Sequence, residues 1–313
     1  MNVLLFPGQG SQTVSMGSEF FNNFESVKNI FKKADDKLRF SISKIILEGP
    51  SEELQLTKNT QPAILIVSYS IFKVLKDEFN FDYKSIKYFA GHSLGEYSAL
   101  VCSDALDFSD ALYLLHERGK AMQEAVPVGK GSMIAILGLK IEDINKLLKE
   151  DKDMEGVCEI ANDNAEGQVI VSGDKEKVDH LKKNLKEKKI RFIPLKVSAP
   201  FHCALMKPAA DIMKNKINNV QFKDPSFEII NNVTAKAEKS SDKIKKLLID
   251  QIFSTVKWRE SLVNMSNLGV KYFIEIGPGK ALTGMVKRTI KDANCFSINS
   301  ITDIKNLINE FKK

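Results

Sequence analysis

A serine stands between two glycines in the segment Gly91-His92-Ser93-Leu94-Gly95, which matches the pattern G-x-S-x-G. In that pattern the serine occupies a strained turn between a strand and a helix, and the glycines remove Cβ atoms that would clash there. The hydroxyl group then projects at the positive end of the helix dipole. An apolar run precedes the turn and a helical pattern follows it, so we predict that Ser93 is a nucleophile. The alternative is a serine that only caps the helix.

A serine nucleophile needs a base, and the chain contains four histidines. His92 lies inside the turn, where we expect its side chain to point away from the pocket, and His180 lies in a lysine-rich helix. His116 follows two leucines in another helix and is either packed or exposed. His202 ends the loop 198–202, and loops on a rigid scaffold often carry catalytic groups. By elimination we predict that His202 is the base, with His116 as the alternative.

The apolar face of a predicted helix from Ser109 to Met122 carries Arg118. That face holds Ala111, Leu114, Leu115, Ala121 and Met122 at helical spacing. A guanidinium group there must be paired, because an unpaired buried charge is strongly destabilising. Two interpretations remain open: a structural salt bridge to an internal carboxylate, or a bidentate clamp for the carboxylate of a substrate.

Two glycine-rich loops were candidates for nucleotide binding, but neither has the required pattern. Gly8 and Gly10 lack the third glycine of a dinucleotide loop, since Thr13 takes its place, and the segment 277–280 lacks the P-loop spacing. The loop around Gln9 follows a predicted strand and could instead supply a backbone N–H group to an oxyanion. In the alternative interpretation, Gln9 is a plain turn residue.

The elements that must position these residues predict an α/β fold with a hydrolase-like parallel sheet. Strands are predicted over 2–6 and 86–90, and a buried helix is predicted to begin at Thr60 and run to Leu75. Pro62 is expected in the first turn of that helix, where its missing N–H group costs little.

The segment 131–197 has a pattern of its own, with predicted strands and helices in the order βαββαβ. That order is the ferredoxin-like split motif. Its strands are predicted over 133–137, 157–161, 169–172 and 190–197. Hinge-like segments at 127–129 and 198–200 flank it. We therefore predict a large α/β domain of residues 1–127 and 198–313, with an inserted ferredoxin-like domain of residues 128–197.

The composition is that of a globular protein, with 43% hydrophobic and 27% charged residues among 313. These values exclude disorder and coiled coil as descriptions of the whole chain. No apolar run approaches the roughly 20 residues of a membrane helix, and the N-terminus lacks a basic leader. The four cysteines form no C-x-x-C motif, which disfavours a zinc site and favours a reducing compartment. We expect a cytoplasmic protein that contacts no membrane.

Positive charge is concentrated in residues 199–313, where 19 lysines and arginines stand against 11 aspartates and glutamates, a balance of +8. These basic residues lack the interleaved aromatic residues of nucleic-acid platforms, so we expect no nucleic-acid partner. A lysine-rich face is either solvated or docks an acidic partner. Lys287 and Arg288 are the first candidates for such docking.

The combined motifs resemble the malonyl-CoA:acyl-carrier-protein transacylase family of bacterial type II fatty acid synthesis. In family order, the similar segments are FPGQGSQ (6–12), TQPA (60–63), GHSLGE (91–96), Arg118-Gly119, APFH (199–202), NNV (231–233) and IGPG (276–279). The resemblance implies a ping-pong acyltransferase with two substrates, malonyl-CoA and holo acyl carrier protein. It also implies that the carrier protein is an acidic, transient partner and that no metal or permanently bound cofactor is needed.

The same resemblance implies catalytic roles for individual residues. Ser93 would attack the thioester, with His202 as its base. The backbone carbonyl of Gln251 would hold the histidine in place of an acidic residue. The backbone N–H groups of Gln9 and Leu94 would form the oxyanion hole.

For substrate recognition, the resemblance implies that Arg118 binds the malonyl carboxylate, and that Asn162 and Phe201 line the cleft. The rival hypothesis is a serine esterase or thioesterase on a related α/β scaffold. It requires an acidic residue acting on the histidine, and Asp163 is a candidate because such hydrolases follow the order Ser…Asp…His. A non-catalytic relative is disfavoured by the presence of both Ser93 and His202.

Overall fold

The computed structural model describes residues 1–150, 154–195, 197 and 199–312. Its strands are β1 (Asn2–Phe6), β2 (Ile86–Gly91), β3 (Gly131–Leu137), β4 (Cys158–Ala165), β5 (Gln168–Asp174), β6 (Arg191–Pro194), β7 (Glu228–Ile230), β8 (Ala237–Glu238), β9 (Tyr272–Ile276) and β10 (Asn294–Ile298). Its α-helices are α1 (Ser18–Asn23), α2 (Glu25–Leu38), α3 (Ile42–Leu47), α4 (Ser51–Gln55), α5 (Thr57–Lys73), α6 (Gly95–Cys102), α7 (Phe108–Glu124), α8 (Ile141–Glu150), α9 (Lys175–Glu187), α10 (Lys207–Asn218), α11 (Ser241–Gln251), α12 (Trp258–Asn267), α13 (Ala281–Thr289) and α14 (Ile301–Phe311). Within these ranges, none of the helices has the length and apolar character needed to span a bilayer.

The larger sheet has six strands in the order β10-β9-β1-β2-β7-β8, and only β8 runs antiparallel to its neighbour. Side chains alternate between its two faces. Leu4 and Phe6 of β1 join one apolar core, whereas Val3 and Leu5 join a second core on the opposite face. Burial on both faces explains why the strands are apolar runs in the sequence. The predicted parallel α/β sheet is confirmed.

The smaller sheet has four antiparallel strands in the order β4-β5-β3-β6. With α8 and α9 it follows the order βαββαβ, so the ferredoxin-like motif is confirmed. β4 is longer than the predicted strand 157–161, and β6 ends at Pro194 rather than at 197. Lys196 and Ser198 lie outside the described residues, and the division into 1–127 with 198–313 and 128–197 stays a prediction.

Strand β4 pairs with β5 and also forms backbone hydrogen bonds to Val256, which precedes α12. The backbone N–H of Val256 donates to the carbonyl of Ala161 at 2.8 Å, and the N–H of Asp163 donates to the carbonyl of Val256 at 3.0 Å. The Asp163 carboxylate also accepts from Nε of Arg259 at 3.0 Å. These contacts join the edge of the four-stranded sheet to the segment around Val256 and Arg259, at the start of α12.

Helix α5 begins at Thr57, three residues before the predicted start, so Pro62 lies inside the helix. Side chains stabilise its first turn, since Asn59 Nδ2 donates to the Glu53 carbonyl and Thr60 Oγ1 to the Leu54 carbonyl. Pro62 has no N–H group for the carbonyl four residues earlier. The ring of His116 takes that place, with Nδ1 3.0 Å from the Lys58 carbonyl oxygen. His116 therefore supports a proline-containing helix.

Candidate active site

Ser93 occupies the turn between β2 and α6 with a backbone φ of 52°, in the left-handed region that L-residues rarely adopt. The glycines on either side are required by close backbone contacts. A Cβ atom on Gly91 would lie 1.9 Å from the Gly95 carbonyl, and one on Gly95 would lie 2.2 Å from the Phe6 carbonyl oxygen. The strained turn therefore has the geometry that the pattern predicts.

His202 lies with Nε2 2.8 Å from Ser93 Oγ. Its Nδ1 is 2.8 Å from the backbone carbonyl oxygen of Gln251. A carbonyl only accepts, so Nδ1 carries the proton and the Nε2 lone pair faces the serine hydroxyl. Burial, together with the positive charge of Arg118, lowers the pKa of His202 from 6.5 to about 3. The ring is therefore neutral near pH 7, which is the form a general base needs.

Arg118 is 1% exposed, as its position on the apolar face predicts. Its Nη1 donates to Oε1 of Gln61 at 2.8 Å, and its Nη2 donates to Oε1 of Gln251 at 2.8 Å. Nη2 also lies 3.2 Å from Ser93 Oγ. Among the described residues, no carboxylate forms a salt bridge with Arg118, and its Nε has no hydrogen-bond partner. The guanidinium group is thus held by neutral amides beside the nucleophile.

Two backbone N–H groups near Ser93 are candidates for an oxyanion hole. Leu94 lies at the N-terminus of α6, and Gln9 lies in the loop that follows β1, the strand beside β2. In the described part of the chain, neither N–H group has a backbone or side-chain acceptor. Both residues border the cavity in front of Ser93. Unpaired N–H groups at this position fit an oxyanion, since buried donors otherwise find acceptors.

The opposite side of the cavity is formed by the small sheet and its flanking segments. Its side chains are mostly apolar: Met133, Ile170, Leu195 and Val197. The predicted cleft residues Asn162 and Phe201 also border the cavity, and the Phe201 N–H lies 3.4 Å from Met133 Sδ. This side of the cavity therefore presents apolar side chains and the side-chain amide of Asn162.

The expected orientation of His92 is wrong, because its ring borders the cavity. Its Nε2 donates to Oδ1 of Asn164 at 2.7 Å, and its ring packs edge-on against Trp258. Asn164 lies on β4 of the small sheet, so the partner that orients the ring is 72 residues away. A local turn pattern contains no information about such a partner.

Sequence reasoning assigned no role to a layer of polar side chains behind Ser93. Asn232 holds the turn on both sides: its Oδ1 accepts from the Ser93 N–H and its Nδ2 donates to the Gly91 carbonyl, each at 2.7 Å. Glu96 and the side chain of Gln251 complete this layer. The motifs that contain Glu96 and Asn232 were visible in the sequence, but their mutual contacts were not.

Asp163, the acidic residue that the hydrolase hypothesis requires, is engaged elsewhere. Its carboxylate binds Arg259, with Nη2 at 2.9 Å in addition to Nε. Within the described residues, His202 Nδ1 bonds to the Gln251 carbonyl and to no carboxylate. The two basic docking candidates, Lys287 and Arg288, are both exposed, and Arg288 donates from Nη1 to Oε1 of Gln168 at 2.6 Å.

Comparisons with known proteins agree with this geometry. The profile of the acyl transferase domain family matches residues 3–310. A malonyl CoA-acyl carrier protein transacylase of Haemophilus influenzae is 42% identical over 309 residues, which cover 98% of each chain. The crystal structure of an acyl-carrier-protein S-malonyltransferase from Bartonella henselae is similar with a TM-score of 0.96, at 39% identity and 100% coverage of both chains.

A second similar structure shows a malonyl-transacylase in complex with a type II PKS acyl-carrier protein. It has a TM-score of 0.94 and 39% identity, and the match covers 98% of this chain and 99% of that one. The matches extend over both sheets and include every residue of the site described above. The chain therefore belongs to the acyl transferase domain family and, within it, to the malonyl CoA-acyl carrier protein transacylases.

Proposed function

We propose that this chain transfers the malonyl group of malonyl-CoA to the phosphopantetheine thiol of acyl carrier protein, supplying the extender for fatty acid synthesis. The reaction proceeds through a malonyl ester of Ser93 and needs no bound cofactor. The observation that carries the proposal is the convergence of two groups on one oxygen: Ser93 Oγ lies 2.8 Å from a neutral histidine and 3.2 Å from a buried arginine.

In the first half-reaction His202 Nε2 takes the proton of Ser93 as Oγ forms a bond to the thioester carbon. The carbonyl oxygen becomes an oxyanion, which the N–H groups of Gln9 and Leu94 stabilise. The carbon–sulfur bond then breaks, and the proton on His202 passes to the departing coenzyme A thiolate. The carbonyl of Gln251 keeps the ring in the productive tautomer throughout.

In the second half-reaction the thiol of the carrier protein gives its proton to His202 and attacks the serine ester. The bond between the malonyl carbonyl carbon and Ser93 Oγ then breaks, and Oγ takes the proton back from His202 Nε2, which leaves the malonyl thioester on the carrier protein and regenerates the free enzyme. Arg118 binds the malonyl carboxylate in both halves, while Asn162 and Phe201 shape the cleft. The apolar small-sheet wall limits access of water, which favours transfer over hydrolysis.

Three further expectations form part of this proposal. They are the division into residues 1–127 with 198–313 and residues 128–197, the contact of Lys287 and Arg288 with the acidic carrier protein, and a cytoplasmic location. A hydrolase has less support, because the candidate acid Asp163 is paired with Arg259 instead of acting on His202.

The test is the intact mass of the protein after incubation with malonyl-CoA. We expect a gain of one malonyl group on the wild type, no gain on Ser93→Ala, and loss of the added mass when holo acyl carrier protein is supplied. Thr283→Ala serves as a control because Thr283 on α13 is buried and its hydroxyl oxygen lies 2.7 Å from that of Ser297, away from the groups that contact Ser93. Discharge by water as fast as by carrier protein would instead identify a thioesterase.

A further inference from the structure

Glu96, three residues after the nucleophile, is fully buried and has an unusual set of partners. Its carboxylate accepts from Nδ2 of Asn231 at 2.5 Å, from the backbone N–H of Asn232 at 3.2 Å, and from Nε2 of Gln251 at 2.8 Å. All three are donors, and no salt bridge to Glu96 exists in the described part of the chain. A buried carboxylate without a direct cation needs a reason.

The reason lies on the other side of Gln251. The side-chain amide of Gln251 donates from Nε2 to Glu96 and accepts on Oε1 from Nη2 of Arg118, each at 2.8 Å. Nε2 also lies 3.1 Å from the Ser93 carbonyl oxygen. Glu96 and Arg118 are therefore opposite charges joined through one amide, whose orientation is determined at both ends.

This indirect pairing differs from a salt bridge in one functional respect. A carboxylate directly on Arg118 would occupy the N–H groups that a substrate carboxylate must use. Through the amide, Glu96 partly compensates the buried charge of Arg118 while the arginine contacts only neutral oxygens. The Nε group of Arg118 remains without a partner in the described part of the chain.

We propose that Glu96 is a positioning residue for acyl-group selection: through the amide of Gln251 it orients Arg118 and balances its charge, so that the site favours acyl groups that bear a carboxylate. This inference rests on the proposed malonyl transfer. Arg118 was expected either to pair with an internal carboxylate or to bind a substrate carboxylate. The arrangement combines the two, since Glu96 provides an internal counter-charge and Arg118 still presents donors to a ligand.

The geometry predicts what a neutral isostere does. In Glu96→Gln an NH₂ group must face one of three donors, and the backbone N–H of Asn232 cannot turn away. If the Gln251 amide turns to supply an acceptor, its own NH₂ group faces Nη2 of Arg118. Either rearrangement removes an acceptor from the arginine or leaves donors opposed, which is strongly unfavourable in a buried site.

The experiment compares kcat/KM for malonyl-CoA and acetyl-CoA in the wild type and Glu96→Gln. It is run at pH 8, because burial raises the pKa of Glu96 to about 7. We expect the malonyl value to fall about tenfold or more and the acetyl value to change by less than about threefold, since only malonyl uses Arg118. The matched control is Glu275→Gln, because Glu275 is equally buried and accepts two backbone N–H groups of α13. It should lower the melting temperature and leave the malonyl-to-acetyl ratio unchanged.

Gln251→Met provides a second, independent test, because it removes the amide but keeps the backbone carbonyl that holds His202. We expect the same shift of the ratio as in Glu96→Gln, and little additional shift in the double variant. If Glu96→Gln fails to fold, the malonyl-to-acetyl ratio of kcat/KM in Gln251→Met tests the role of the amide by itself. Malonylation of the wild type with an unchanged ratio in Gln251→Met overturns this inference alone. Absence of malonylation in the wild type overturns the proposed function and this inference together.

Discussion

The two walls that face each other across the cleft are built from different chemistry. The wall formed by the six-stranded sheet and its loops contributes Ser93, His202 and Arg118. The wall formed by the four-stranded sheet contributes apolar side chains such as Met133 and Ile170, together with the amides of β4. Among the described residues that border the cavity, the titratable side chains that touch Ser93 all come from the first wall.

This difference indicates that one wall carries the reactive and charged groups and that the other mainly determines the shape of the cavity. Ser93 lies in a strained turn at the carboxyl end of β2, and Arg118 lies on α7, so rigid elements fix both groups. We expect the second wall, whose lining is mostly apolar, to limit the access of water and to shape the channel. The pair Asp163–Arg259 and the backbone bonds to Val256 join the two walls, so they are expected to affect stability more than chemistry.

The largest effect should follow from His202→Ala on the first wall. Loss of the base should slow acylation of Ser93 by about 10²–10⁴-fold, measured as single-turnover formation of the malonyl ester. The fold should persist, because the change removes a loop side chain. His116→Ala is the control, since that ring supports the Lys58 carbonyl and should affect stability only. Near-normal acylation in His202→Ala would make His116 the candidate base again.

Weakening the Asp163–Arg259 ion pair, which joins the two walls, should lower stability and leave the acylation rate nearly unchanged. Asp163→Asn weakens the bonds to Arg259 and should reduce the free energy of unfolding by about 1–3 kcal/mol, measured by urea denaturation. Arg259→Gln should reproduce this loss, and the double variant should lose less than the sum. The acylation rate of the folded fraction should change little. A loss of acylation as large as that of His202→Ala would instead support the hydrolase hypothesis.

The protonation state of His202 provides a third comparison. Burial and Arg118 lower its pKa to about 3, below the ordinary 6.5, so the neutral ring persists as the pH falls from 8 to 5. In ¹⁵N-histidine spectra its ring signals should not titrate over that interval. In Arg118→Ala the pKa should rise toward 6.5, because the neighbouring positive charge is gone. A midpoint near 6.5 in the wild type would contradict the buried, neutral base.

The smallest effect concerns exposed Lys287 on α13, the helix whose residues Leu282 and Met285 border the cavity. Lys287→Glu should weaken transfer to the carrier protein at low salt, and the effect should fade as the screening length shrinks to about 8 Å at physiological ionic strength. The half-reaction with malonyl-CoA should be less sensitive to salt. Lys32→Glu on α2 is the control, since Lys32 is also exposed. Equal salt dependence of both half-reactions would contradict a role of Lys287 in docking the carrier protein.

Much of the first wall could be predicted from the sequence because its signals are local. The glycines around Ser93 form a pattern within five consecutive residues, although only Gly91 is required by a contact inside that turn and Gly95 is required by the carbonyl of Phe6. The helical spacing around Arg118 reflects one helix face. The α5 boundary was missed because the bonds of Asn59 and Thr60 to earlier carbonyls extend the helix past the expected proline start.

The polar layer behind Ser93 could not be predicted for a physical reason. The bond of Glu96 to Gln251 spans 155 residues, and that of His92 to Asn164 spans 72. Each depends on how separate elements pack, and a single sequence contains no spacing that reports it. Sequence motifs identified these residue types but not their contacts.

The most direct test of the central claim, that the charged wall selects a carboxylate-bearing acyl group, is the ratio of kcat/KM for malonyl-CoA to that for acetyl-CoA in Arg118→Ala. An unpaired malonyl carboxylate in the buried site should lower the malonyl value more than about tenfold. The acetyl value should fall little or rise, so the ratio collapses. Equal losses for both substrates, together with a lower melting temperature, would identify Arg118 as a structural residue and contradict the account.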